Sequence, residues 1–201
     1  MRSFSLARHA TVSLVMLAIV TLALGLGYPL LVTGVSQLFF RNQANGSLVY
    51  SNGKLAGSQL LGQSFSDAKG NPLPQYFQPR PSNAGTGYDG QSSGASNLGP
   101  SNPQLISQVI TRAKAYRQFN GLPASAAVPV DAVTASGSGL DPDISVANAL
   151  DQAPRVARAR HLPTAQVVAL VHQHTTGPQW GFLSEPVVNV LDLNLALDGS
   201  R

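Results

Sequence analysis

The stretch VSLVMLAIVTLALGLGYPLLV, residues 12–32, decides how this chain is built. No Lys, Arg, Asp or Glu occurs between Arg8 and Arg41. A hydrocarbon core of about 30 Å is crossed by about 20 apolar helical residues. A helix is favoured there because it satisfies its own N–H and C=O groups where water is absent. A transmembrane helix is therefore predicted over 11–33, with Val12, Leu22, Gly25 and Pro29 inside it. Pro29 would clash with the carbonyl of Gly25, so a bend is expected between them, softened by Gly27. Tyr28, Phe39 and Phe40 suit an interface, where amphipathic rings collect. The rival reading is a cleaved signal peptide, with Arg2 and Arg8 before the apolar run 12–22 and small Ala23 and Gly25 before a cut. Against it, the uncharged stretch runs on to Phe40, further than such a peptide needs.

Working outward, Arg2, Arg8 and the α-amino group lie close together, whereas Arg41 and Lys54 are more spread out. Positive charge is retained on the cytoplasmic side. The expected topology is residues 1–10 in the cytoplasm, 11–33 in the membrane, and 34–201 as one compact extracytoplasmic domain of the α+β class. That makes a single-pass membrane protein. The chain has 201 residues, room for the anchor and one domain. Of its 13 Lys and Arg, Arg2 and Arg8 precede the apolar run, leaving 11 against 9 Asp and Glu in the remainder. That near-balance is no nucleic-acid footprint. With no cysteine, disulfides, Cys-ligated zinc, iron–sulfur clusters and thiol catalysis are excluded.

Within the domain, 48–50 and Leu60-Leu61 read as short strands around an Asn52-Gly53 turn. In 81–103, 16 of 23 residues are Gly, Pro, Ser or Asn, so this is a long loop with Tyr88 and Leu98 to pin it. Asn102 caps a helix with Pro103 at its first position, and Gly121 ends it. Its apolar stripe is Leu105, Ile106, Val109, Ile110, Ala113 and Tyr116. A strand is expected over 128–133. Ser145 caps a further helix that Pro154 kinks or restarts, and Thr164 caps another, whose Val167, Val168, Leu170 and Val171 are buried. The run 187–197 carries both strand and helix character.

Little here resembles a catalytic set. The Gly/Ser run 134–139 has the flexibility of an anion nest, but it lacks both the P-loop lysine and the nucleophile-elbow pattern. A structural turn is the better reading. Ser136 or Ser138 would need a base, and no spacing selects one among His161, His172 and His174. His172 and His174, two apart on a helix, point in different directions and cannot share a metal ion. Arg155 and Arg158 share a helix face beside Gln152, and Arg160 lies close by. Such a trio grips phosphate or, more commonly, forms a solvated or ion-paired face.

Taken together, an ordered set of phrases resembles one family, the C subunit (KdpC) of the bacterial Kdp potassium-transporting P-type ATPase. These phrases include Tyr28-Pro29-Leu30, Gln43-Ala44-Asn45-Gly46-Ser47-Leu48, Tyr76-Phe77 with Arg80-Pro81-Ser82, and Ser96-Asn97-Leu98-Gly99-Pro100-Ser101-Asn102-Pro103. They continue through Thr134-Ala135-Ser136-Gly137-Ser138-Gly139-Leu140-Asp141-Pro142, Arg155-Val156-Ala157 and Leu193-Asn194-Leu195-Ala196-Leu197. Two departures are Asp143, where the family often has His, and Pro154. The resemblance implies an accessory, non-catalytic subunit of an ATP-driven, high-affinity potassium importer. Potassium would be the transported ion, and the bacterial inner membrane the location. Its partners would be a channel-like potassium-binding subunit, an ATP-hydrolysing pump subunit and membrane lipid, with no nucleic acid. The family is described as a catalytic chaperone that raises the pump subunit's affinity for ATP. The alternative is a regulator that binds nucleotide itself, for which Gln152, Arg155 and Arg158 are the candidate residues. No other cofactor is expected.

Overall fold

In the computed structural model, residues 2–199 are described, and they fall into two compact units that meet in sequence at Ser47/Leu48. The first unit is helical. Helix α1 (Arg2–Val20) passes through a π-helical turn, Thr21–Gly27, into α2 (Tyr28–Phe39), and a short α3 (Arg41–Ala44) follows. The helix from Leu6 to Phe39 has 34 residues, none of them buried, and an 18-residue window within it has a mean hydropathy of 2.3. At 1.5 Å per residue it is about 50 Å long, more than enough to cross a bilayer. Pro29 is accommodated in the helix by the π turn: the N–H of Tyr28 bonds the carbonyl of Ala23, five residues back. Pro29 then sits in the first turn of α2, where a missing N–H costs least. At the far end, Gln37 and Asn45 pair their side-chain amides through two 3.2 Å hydrogen bonds, closing the corner between α2 and α3.

The second unit mixes helices with two small sheets. β1 (Leu48–Ser51) and β2 (Lys54–Ser58) form a hairpin whose Asn52 and Gly53 both have positive φ, the geometry of a tight two-residue turn. The expected turn is present, but its second strand is 54–58. Leu60 and Leu61 lie in the turn beyond it. α4 (Pro103–Asn120) begins with Asn102 accepting from Gln104 N–H and ends at Gly121 with φ 70°. Its stripe is only half used, because Ile106 and Ile110 are exposed. Arg112 and Arg117 donate to the carbonyls of Val133 and Ala126, which ties α4 to the following segment. The strand expected over 128–133 is instead a single helical turn, α5 (Val130–Val133). Asp131 supplies the reason: its carboxylate accepts from Ser145 N–H and Oγ–H and from Asn148, a set of bonds a strand would turn away.

β3 (Asp143–Ser145) runs directly into α6 (Val146–Arg160), followed by α7 (Thr164–Gln173), β4 (Thr175–Thr176), β5 (Val187–Asn189) and α8 (Val190–Gly199). The sheet order is β3-β5-β4, all antiparallel. Both strand-to-helix junctions are capped alike: Ser145 accepts from Asn148 N–H, and Asn189 accepts from Asp192 N–H. The 187–197 run therefore has both characters, strand then helix. Thr164 is the first residue of α7, and Pro163 occupies the cap without a side-chain bond. α6 is unbroken through Pro154, whose ring is exposed. Ala149, Ala153, Val156 and Ala157 on α6 pack with Val167 and Val171 of α7, Val188 of β5, Leu193 and Leu197 of α8, and Phe77. Val168 and Leu170 are only partly buried.

The 81–103 loop has no regular structure but is held. Ser82 Oγ donates to the Gly139 carbonyl (2.6 Å) and accepts from Ala84 and Tyr88 N–H. Tyr88 Oη–H donates to the Arg80 carbonyl. Gly94 N–H bonds Ser138 C=O. The 134–139 run is thus the structural cradle of this loop. Gly139 has φ 68°, and a Cβ there would lie 2.7 Å from Ala84 N and Gly94 O. Gly139→Ala is expected to cost about 1–3 kcal/mol in chemical unfolding of the detergent-solubilised chain. Gly137→Ala, whose Cβ meets nothing within 4 Å, should leave the midpoint nearly unchanged.

Candidate functional site

Residues 74–78 form no strand, yet Phe77 at their centre is completely buried. Buried peptide groups require partners, and here side chains from two helices, α6 and α8, provide them. Asn194 of α8 accepts from Phe77 N–H (2.8 Å) and donates to Phe77 C=O (3.0 Å). Gln152 of α6 does the same at the next residue, accepting from Gln78 N–H (2.7 Å) and donating to Gln78 C=O (3.1 Å). Arg155 Nη1–H donates to the carbonyls of Pro74 and Tyr76, and Arg160 Nε–H to that of Gln75.

The network then closes on itself. Arg155 Nε–H donates to Asn120 Oδ1 (2.9 Å) at the end of α4, and its Nη2–H to Gln152 Oε1 (2.8 Å). Its guanidinium lies 4.3 Å from the Phe119 ring centroid. Gln152 also donates to Asn148 Oδ1, which accepts from the Tyr116 hydroxyl. Burial pushes the Tyr116 hydroxyl well above its ordinary value and draws Arg155 down to about 10, so Arg155 is still charged at neutral pH. Arg160 pairs with Asp198 at 2.8 Å and lies over the Tyr76 ring.

The sequence-selected trio is thereby divided. Gln152 is 2% and Arg155 4% exposed, and their hydrogen bonds run to other parts of the chain. Arg158 is exposed, with its guanidinium beside Gly121 at the C-terminal end of α4. The three do not line one open face. Ser136 and Ser138 hydroxyls accept from Gly139 and Leu140 N–H and approach each other at 3.3 Å. Among the described residues no histidine is bonded to them. His172 is exposed and His174 half-buried at the end of α7.

The feature that sequence spacing did not disclose is an open groove of about 620 Å³ along β3 and β5. Asp131, Asp141, Asp143, Glu185 and Asp192 line it, with Arg80 the one basic side chain there among the described residues. Arg80 is paired with Asp141 at 2.7 Å. Burial, and then the Asp141 carboxylate, push the Asp143 carboxyl above its ordinary value. The groove is an anionic surface, and among the described residues no three His, Asp or Glu converge on a metal position. Only a run such as Asp141-Pro142-Asp143 hinted at it, because the other carboxylates come from distant segments.

A long apolar helix followed by one α+β domain fits a single-pass membrane protein. The family model described as "K+-transporting ATPase, c chain" matches residues 10–199. The chain is 54% identical over 191 residues to the potassium-transporting ATPase KdpC subunit of Mycobacterium tuberculosis, covering 95% of this chain and 98% of that one. It is 55% identical over 175 residues to the KdpC subunit of Acidobacterium capsulatum (87% and 89% covered) and 52% identical over 191 residues to that of Caulobacter vibrioides (94% and 92%). The chain belongs to the KdpC family, and is thereby an accessory subunit of the Kdp potassium-transporting ATPase.

Arg155→Ala should destabilise the domain by about 3 kcal/mol or more, because it removes four hydrogen bonds of a buried guanidinium together with its packing on Phe119. Arg158→Ala should stay within about 0.5 kcal/mol. Chemical unfolding of both variants checks this contrast. Because the Asp143 pKa is raised by folding, its charge opposes folding above that pKa and costs nothing once the carboxyl is protonated. Asp143→Asn should therefore raise Tm at pH 7, and the gain should shrink as the pH falls towards 4.

Proposed function

We propose that this chain is the non-catalytic accessory subunit of a high-affinity, ATP-driven potassium importer in which a partner subunit hydrolyses ATP. The N-terminal helix, 11–33, packs against helices of the channel-like and pump subunits. Residues 1–10 lie in the cytoplasm, and 34–201 stand outside the membrane, clamping the assembly at the ion entrance. The observation that carries this reading is the buried network around Arg155. Gln152 and Arg155, the best-suited phosphate and base ligands by chemistry, already hold residues 74–78 in place. A nucleotide would have to displace those bonds, with Arg158 left as the accessible member of the trio. Any rise in the pump subunit's affinity for ATP is accordingly transmitted through contact between subunits. Direct nucleotide binding by Gln152, Arg155 and Arg158 is the competing proposal, and it requires the domain and ATP to share a compartment.

The chain contains no cysteine, so a single one reports without background. Ser92 is exposed on the long loop. In intact cells, Ser92→Cys should react with a membrane-impermeant maleimide. Protection until the cells are opened would place the domain in the cytoplasm and defeat the clamp.

A further inference from the structure

The connection between β4 and β5 ends in a tip that the fold does not use. Gln179 and Leu183 exchange both backbone hydrogen bonds, at 2.8 and 2.9 Å, which leaves Trp180, Gly181 and Phe182 as a three-residue turn. Trp180 is 85% and Phe182 74% exposed. Trp180 has φ 53°, Gly181 83° and Ser184 74°. A bulky residue in the left-handed region is an outlier that costs free energy, and such strain persists where function requires it. Pro178 and Pro186 bracket the turn and stiffen it. The result is two large apolar side chains presented to solvent on a pre-formed hairpin. Aromatic anchors of this kind carry a disproportionate share of binding energy at protein interfaces, at low ordering cost when held in advance.

The surroundings indicate what the tip meets. Gln179, Ser184 and Glu185 line the anionic groove, so the hairpin stands on its rim. No Lys or Arg occurs from 161 to 199. An anionic bilayer surface attracts basic segments, and this one presents carboxylates. A protein surface with basic side chains around an apolar pocket complements both features.

We propose that Trp180 and Phe182 insert into an apolar pocket on another subunit of the potassium-transporting ATPase, rimmed by Lys or Arg that face the carboxylate groove. This rests on the accessory-subunit reading above and adds the surface through which it is exercised. The test is co-purification of the full chain with an affinity-tagged ATPase subunit from cells expressing the complex. Trp180→Ala/Phe182→Ala should reduce recovery at least about tenfold, and Glu185→Lys should also reduce it, with Tm unchanged because these side chains lie outside the core. Undiminished recovery of the double variant beside a well-assembled wild type overturns the hairpin proposal alone. Failure of the wild type to co-purify overturns the accessory-subunit reading with it. Should the double variant melt early, Phe182→Cys carrying a benzophenone decides: a cross-link to a partner subunit supports the proposal, and cross-links to lipid alone overturn it. Trp180 is the chain's only tryptophan, so its emission is an independent readout. Quenching in vesicles of brominated phosphatidylcholine, with the chain alone, would assign the tip to the bilayer and overturn the proposal. Unquenched emission supports it.

Discussion

Residues 74–78 have no strand partner, yet they carry Phe77 into the apolar core, and side chains of α6 and α8 satisfy their peptide groups. Asn194 and Gln152 each grip one residue by both its N–H and its C=O, as a neighbouring strand would. Arg155 and Arg160 take three further carbonyls. Each such group left unpaired would cost about 1–3 kcal/mol, comparable with a sizeable part of a domain's net stability. The segment therefore joins α6 to α8, with Asn120 of α4 drawn in through Arg155, and Phe77 can enter the apolar core only because its backbone is provided for.

This constraint changes the meaning of the basic residues on α6. A guanidinium that donates to two carbonyls, a glutamine and an asparagine while lying over a phenyl ring is part of the scaffold. The same side chains on an open helix would suit a phosphate. Small Ala149, Ala153 and Ala157 on the neighbouring face bring α6 close to the core, so the polar line at Asn148, Gln152 and Arg155 is buried along with it. A similar economy holds in the Gly/Ser run, where Ser138 and Gly139 spend their backbone groups on the long loop. What these two structural uses leave accessible is the carboxylate groove and the aromatic hairpin beside it, features suited to contact with another protein.

Sequence by itself determined the local events. The apolar run, the Asn102 and Ser145 caps, the left-handed stop at Gly121 and the Asn52-Gly53 turn each depend on residues within a few positions of one another. Such signals are short-ranged, so they survive without knowledge of the fold. Tertiary structure alone decided the rest. It made 130–133 helical through the bonds of Asp131 to Ser145 and Asn148, and made 187–189 a strand by pairing it with β3 and β4. It turned Arg155 inward to carbonyls some 80 residues away in the chain. It also gathered Asp131, Asp141, Asp143, Glu185 and Asp192 onto one groove. The physical reason is common to all of these: a side chain's role is set by what it faces, and partners distant in sequence leave no spacing to read.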